Sequence, residues 1–182
     1  GYLSFSSGSS VTGNSGYIQM GTGVATAGRG GMVLISVGSG TSGSGGLVQA
    51  HAGRSTVHTG GEVHVSSGEG TATSSGAITI RSVNGGAAGT SGYLSFSSGS
   101  SVTGNSGYIH MGTGVATAGR GGMVLISVGS GTSSVGGMVQ AHAGRSTVHT
   151  GGAVVVTSGE GTATSSGVVL IRNSNSGVAG VS

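Results

Sequence analysis

Histidine, serine and glutamate are the residue types of this 182-residue chain whose side chains could do acid–base or nucleophilic chemistry. A serine nucleophile needs a histidine base, and that histidine needs an acid to orient it. The chain has no aspartate, and its three glutamates, Glu62, Glu69 and Glu160, are not placed to orient a histidine. The G-x-S-x-G turn that presents a nucleophilic serine in many hydrolases is absent as well. The sequence therefore predicts that the chain is not an enzyme and has no catalytic residue.

Two of the six histidines have a spacing that raises the question of a metal site. His51 and His64 would lie about 7–8 Å apart on neighbouring strands of a stacked repeat. The second copy of the repeat carries Val155 where the first has His64, so the pair is not part of the repeated design. Thiolate sites are excluded because there is no cysteine, and calcium-binding nonapeptide repeats need aspartate. We expect isolated, exposed histidines, no metal and no cofactor.

The composition argues against several other classes of protein. Glycine occupies 44 positions, charged residues make up 5% of the chain, and the formal net charge is +3. The six arginines are scattered singly, so there is no basic patch to neutralise the phosphates of a nucleic acid. No apolar run is long enough to span a bilayer, and we predict no membrane insertion. Asn-x-Ser/Thr acceptors for N-linked glycans are absent, whereas the many serines and threonines could carry O-linked glycans.

An internal repeat dominates the sequence. Each residue aligns without a gap with the residue 91 positions later, and only 15 of the 91 pairs differ. The sequence thus divides into a first repeat unit, 1–91, and a second, 92–182. Each unit consists of six segments that open with a glycine, five of 15 residues and a last one of 16. Positions within a segment are counted from that glycine, and the extra residue of the sixth segment is expected around 83–86.

The residue pattern within a segment is typical of β-strands. Positions 3 and 5 are apolar, as in Val33 and Ile35, with variable residues between them. A period of two indicates a strand with one buried face, and glycine at position 8 would suit a corner with positive φ. Small residues at positions 10 and 12 indicate a second, smaller strand that lines a thin interior facing the larger apolar columns. The sequence therefore predicts an all-β fold, a parallel β-solenoid with about 15 residues and two strands in each of twelve coils. These coils would form one continuous rod roughly 58 Å long.

Position 2 of each segment would face outwards if positions 3 and 5 face inwards. Four consecutive segments of each unit carry a large apolar residue there, and an isolated soluble rod would be expected to avoid such a patch. Partial covering by a curved strand wall is one interpretation, and lateral packing between rods is the other. The proposed lateral packing stripe consists of Tyr2, Tyr17, Met32, Leu47, Tyr93, Tyr108, Met123 and Met138.

Position 11 carries a column of threonines on the second predicted strand. Flat β-solenoids with ranked threonines resemble some antifreeze proteins, which typically have paired Thr-x-Thr columns. Here only Thr71–Thr73 and its copy Thr162–Thr164 have that pattern, and Val11 interrupts the column. The candidate threonine face, for ice binding or adhesion, consists of Thr26, Thr41, Thr56, Thr71, Thr117, Thr132, Thr147 and Thr162.

No segment looks like a cap, since the first and the seventh segments are identical. An uncapped coil exposes unpaired strand edges, so we expect either an excerpt of a longer array or end-to-end stacking of chains. Both arrangements form a filament. The expected partner is therefore another copy of the same chain, joined end to end and bundled laterally through the stripe.

The segment pattern G-x-[VIL]-x-Φ-x-x-G, followed by a strand of Thr, Ala, Ser and Gly, resembles Gly/Ser/Thr-rich tandem-repeat solenoids. Such solenoids occur in surface proteins of microbes and microalgae and in repetitive bacterial adhesins. The resemblance covers all twelve segments and is architectural, so it carries over no residue role. It implies an extracellular or cell-surface protein with a fibre-forming or surface-coating role. The resulting expectation is a structural protein that builds a stiff filament or surface layer, with an ice-binding or adhesive solenoid as the alternative.

Overall fold

A computed structural model describes residues 1–174, and these residues contain no helix and no β-strand. Contacts divide the chain into two units, Gly1–Gly92 and Tyr93–Ser182. Within each unit the local structure repeats with the segments of the sequence. Each of the first eleven segments has an arm, positions 1–7, followed by a loop, positions 8–15 (8–16 in the sixth), and the loop contains the bend.

The predicted parallel β-solenoid is wrong. Stacked coils require backbone hydrogen bonds between residues one coil apart, which means about 15 residues along this chain. The backbone–backbone hydrogen bonds of the described residues join groups three or eight residues apart instead. These amides therefore pair across a single loop and not one coil away, so the predicted strands, the twelve stacked coils and the rod are all wrong.

The bends fall at positions 11–13 in ten of the first eleven segments, where the second strand was predicted. A bend at these positions reverses the chain between the start and the end of the loop. In the sixth segment the turn comes one residue late, because that segment has 16 residues. The bends occupy 11–13, 26–28, 41–43, 56–58, 71–73, 87–89, 102–104, 117–119, 132–134, 147–149 and 162–164.

Five loops are closed by a backbone hydrogen bond across eight residues. The N–H of the next segment's opening glycine donates to the carbonyl oxygen of the glycine at position 8. A short loop whose ends meet in this way is a local structure of its own, comparable to a small Ω-loop. The donor–acceptor pairs are Gly46–Gly38 at 3.3 Å, Gly61–Gly53 at 2.8 Å, Gly76–Gly68 at 3.0 Å, Gly152–Gly144 at 2.9 Å and Gly167–Gly159 at 2.9 Å.

Glycine is required in this structure where two parts of the chain lie close together, not where φ is positive. No glycine of the described residues has a positive φ, so the corner predicted at position 8 is wrong. Close approach is found at several opening glycines and at the glycines of position 10. A β-carbon on Gly31 would lie 2.8 Å from the Cβ of Thr22, and one on Gly46 would lie 3.0 Å from the Cβ of Val37. Those distances are shorter than real carbon–carbon contacts, so a side chain at these positions would push the loop open.

No side chain is buried anywhere in residues 1–174. The columns at positions 3 and 5, which the sequence places inside, are exposed: Val33 is 50% and Ile35 is 70% accessible. Position 3 is nevertheless more covered than position 5, since its side chains are 47% to 60% accessible from Ile18 to Val169 and only Leu3, at 81%, is more exposed. Two large apolar side chains per segment enclose no core, because without a sheet nothing shields them from water.

Candidate functional site

The lateral packing stripe lies wholly on the surface of the described residues. Its eight side chains are between 71% and 95% accessible, with Leu47 and Met138 the least exposed and Tyr2 the most. Each one directly follows an opening glycine, so it stands where the preceding loop ends and the next arm begins. Whether the stripe packs against another chain stays a prediction.

The threonine column begins the bends instead of lining a strand. Each of its eight members is the first residue of a three-residue bend, as at 26–28 and 56–58, and each is exposed. A flat rank of threonines needs a strand to space the hydroxyls, and the described residues have none. The structure thus presents these threonines one by one, at the bends of successive loops.

Hydroxyl side chains at position 7, two serines and one threonine, close three loops that lack the backbone bond. The Ser7 Oγ donates to the carbonyl oxygen of Gly16 at 2.8 Å, spanning the loop of the first segment. The copy in the second unit repeats this bond, from Ser98 to Gly107 at 2.9 Å. Thr113 closes the eighth segment through a longer bond to Gly122, at 3.4 Å. A hydroxyl at position 7 therefore replaces the backbone pair seen in the other closed loops.

Serine at position 10 caps the bend. The Ser10 Oγ accepts a hydrogen bond from the N–H of Gly13 at 3.0 Å, and the Ser55 Oγ accepts one from the N–H of His58 at 2.9 Å. Local bonds of this kind hold serine in turns. The prediction that position 10 lines a thin interior is wrong, because the hydroxyl faces its own bend. Where position 10 is glycine, as at Gly40, a β-carbon would come within 2.7 Å of the Gly43 carbonyl oxygen.

The ionisable side chains stand apart from one another. Within residues 1–174, no three histidine or acidic side chains come together as a metal-binding group. The side-chain hydrogen bonds there join hydroxyls to the backbone, apart from one between the Gln140 amide and the Met138 sulfur at 3.4 Å. His51 and His64 are both exposed.

One open hollow of about 370 Å³ lies beside the sixth segment and is lined by Arg81, Ser82, Val83 and Asn84. It coincides with the place where the sequence carries its extra residue. Four consecutive residues line it, and Arg81 is the one charged group among them. A single exposed guanidinium with no opposing wall has little means of selecting a ligand.

Sequence reasoning missed most of the exposed apolar surface. It assigned position 2 to the outside and positions 3 and 5 to a core, yet the side chains of all three positions meet solvent. A signal was present in the composition, since 44 glycines and two inward-facing columns supply too little apolar volume to fill an interior. The surface that can carry a function is therefore the arm as a whole, not the stripe alone.

Residues 1–174 contain no helix with the length and apolar character needed to span a membrane. Comparison with protein-family models, with curated proteins and with solved structures finds no match to this chain.

Proposed function

We propose that this chain is a structural repeat protein that self-associates into a fibre or surface layer, and that it works outside the cell or at its surface. Its partner is another copy of the same chain. The observation that supports this proposal is the absence of any buried side chain in residues 1–174 although the mean hydropathy of the chain is +0.25. Apolar side chains that find no interior are buried by association.

The size of the exposed surface supports the same proposal. The chain exposes 18253 Å². A compact monomer of 16.9 kDa exposes roughly 7,700 Å², and two compact domains of half that mass about 9,300 Å². Close to half of the exposed area is therefore in excess of what folded domains of this size leave in water. Contacts between chains can remove that excess from solvent.

The charges offer little resistance to association. Six arginines and three glutamates are spread over 182 residues, and the formal net charge is +3. Copies of a chain with so few charges repel one another weakly, and salt screens the remaining repulsion within about 8–10 Å. The 91-residue repeat adds identical surfaces at regular intervals, so one favourable contact recurs along the chain.

The deciding experiment is sedimentation of the purified chain over a range of concentrations, followed by electron microscopy of the pellet. We expect a critical concentration above which the protein pellets as fibres or sheets. Trypsin gives a second measurement, because every arginine is exposed and the dispersed chain should be cut after all six. The assembled chain should be cut more slowly. A chain that remains dispersed at every concentration would contradict the proposal.

The alternative function, ice binding or adhesion through the threonine column, has less support. Thr26 and Thr56 begin bends, and no strand in the described residues aligns such threonines into a flat face. Thermal hysteresis or shaping of ice crystals by the dispersed chain would favour this alternative over assembly.

A further inference from the structure

One arm differs from the others in having almost no polar side chain. Residues 32–37 read Met-Val-Leu-Ile-Ser-Val, and the same six residues recur at 123–128. Some other arms carry ionisable residues, such as Glu62 and His64 in the fifth segment and Arg81 in the sixth. The arms without charge have more polar side chains, for example three serines in 2–7 and a threonine and a serine in 153–158. A six-residue stretch with high β-propensity, no charge, no proline and no glycine is the type of sequence that forms tightly packed cross-β contacts.

The structure leaves this arm free to pair. No backbone–backbone hydrogen bond of residues 1–174 involves a residue of 32–37 or 123–128, so within that part of the chain their N–H and C=O groups have no backbone partner. The side chains are exposed too, with Leu34 at 74% and Leu125 at 73% accessible. Unpaired backbone groups beside exposed apolar side chains are a template for adding a strand from another chain.

Extended pairing would make this arm apolar on both sides. Side chains alternate between the faces of a strand, which places Val33, Ile35 and Val37 on one face and Met32 and Leu34 on the other. Strands that are apolar on both faces are suited to the interior of an assembly, where other layers cover them. The two valines and the isoleucine supply the β-branched face that strands favour.

The distribution of charge indicates that the partner of these arms is a second copy of the chain. When identical arms lie side by side in register, each residue meets its own copy. Glu62 would then meet Glu62 and Arg81 would meet Arg81, and both contacts are repulsive. Residues 32–37 bring no like charges together, and 123–128 offers the same neutral surface a second time in every chain.

We propose that residues 32–37 and 123–128 are the sites at which copies of this chain join, by adding strands in register through backbone hydrogen bonds. This proposal rests on the proposed function, and it names the part of the surface that starts assembly. Strand structure arises here between chains, at two arms per chain, while the loop that follows 32–37 keeps the Gly46–Gly38 bond that closes it.

The test compares two double variants of the full-length chain by their critical concentration for sedimentation. In I35K/I126K a lysine enters each of the two arms. In the matched control V24K/V115K the same number of lysines replaces valines that lie in loops and are 99% and 100% accessible. Burying an unpaired charge is costly, so we expect I35K/I126K to raise the critical concentration about tenfold or more, and the control to change it much less.

Amide hydrogen exchange of the assembled wild-type chain provides an independent readout. We expect the amides of 32–37 and 123–128 to exchange about tenfold or more slowly than in the dispersed chain, and fibre diffraction to show a spacing of about 4.7–4.8 Å. If the wild type assembles but the two variants share one critical concentration, or if protection falls on other arms, the joining sites are wrong and self-association stands. If the wild type never assembles, both proposals are wrong.

Discussion

The N–H of Gly61 donates a hydrogen bond of 2.8 Å to the carbonyl oxygen of Gly53. Its copy in the second unit, Gly152 to Gly144, has nearly the same length, 2.9 Å. The bond joins the end of a loop to its start. The start of the next arm therefore lies beside the end of the previous arm. The 15-residue period is therefore expressed as a series of locally closed loops.

The Gly53–Gly61 bond should be measurable in the dispersed chain. Because a net hydrogen bond stabilises by only about 0.5–1.5 kcal/mol, we expect the Gly61 amide to exchange about two- to tenfold more slowly than that of Gly60. Gly60 is a matched neighbour because it donates no backbone bond in the structure. NMR exchange rates and a scalar coupling across the bond would measure it, and equal rates for the two amides would argue against closure.

Adding one methyl group to an opening glycine should open its loop. In Gly31→Ala the new β-carbon would lie 2.8 Å from the Thr22 Cβ, so the two groups must separate. Gly30→Ala is the control, since a β-carbon there meets nothing within 4 Å. We expect the nuclear Overhauser effect between residues 22 and 31 to disappear in the first variant and persist in the second. Its survival in Gly31→Ala would show that the approach is not as close as described.

Removing a serine cap should loosen one bend and leave its copy intact. Ser55→Ala deletes the oxygen that accepts from the His58 N–H at 2.9 Å, while Ser146 keeps the equivalent bond to His149 in the same molecule. We expect the His58 amide to exchange about two- to tenfold faster, in line with the loss of one hydrogen bond. The His149 rate serves as an internal reference. A parallel change in both amides would mean that the effect is not local.

The tyrosines of the lateral packing stripe should control how fibres associate sideways. Replacing all four by serine removes large apolar side chains that are 84% to 95% accessible, and we expect thinner fibres and a critical concentration several-fold higher. Replacing them by phenylalanine keeps the ring and serves as the control. Fibre widths in electron micrographs measure the effect. Identical fibre widths for the serine and phenylalanine variants would show that the stripe is not part of the lateral packing surface.

Local features were predictable from the sequence to very different degrees. The extra residue of the sixth segment was expected before its second half, and the turn at 87–89 does come one residue late. The role of Ser10 was not predictable from its column, because a small polar residue suits both a thin interior and a capped bend. Val33 and Ile35 have the alternating apolar pattern of a half-buried strand. That pattern shows which side chains could be buried on one face, but not whether another part of the protein covers that face.

The sequence by itself determined the 91-residue unit, the 15-residue segment and the lack of any grouped charge. It could not decide which partner each backbone amide takes. Stacked coils and closed loops both repeat every 15 residues, so the period is the same whether Gly61 pairs eight residues back or one whole coil back. Only the tertiary structure distinguishes them, and it places the Gly61 N–H on Gly53. Because the backbone bonds close single loops and none joins residues one coil apart, residues 1–174 form no sheet and the apolar arms stay exposed to solvent.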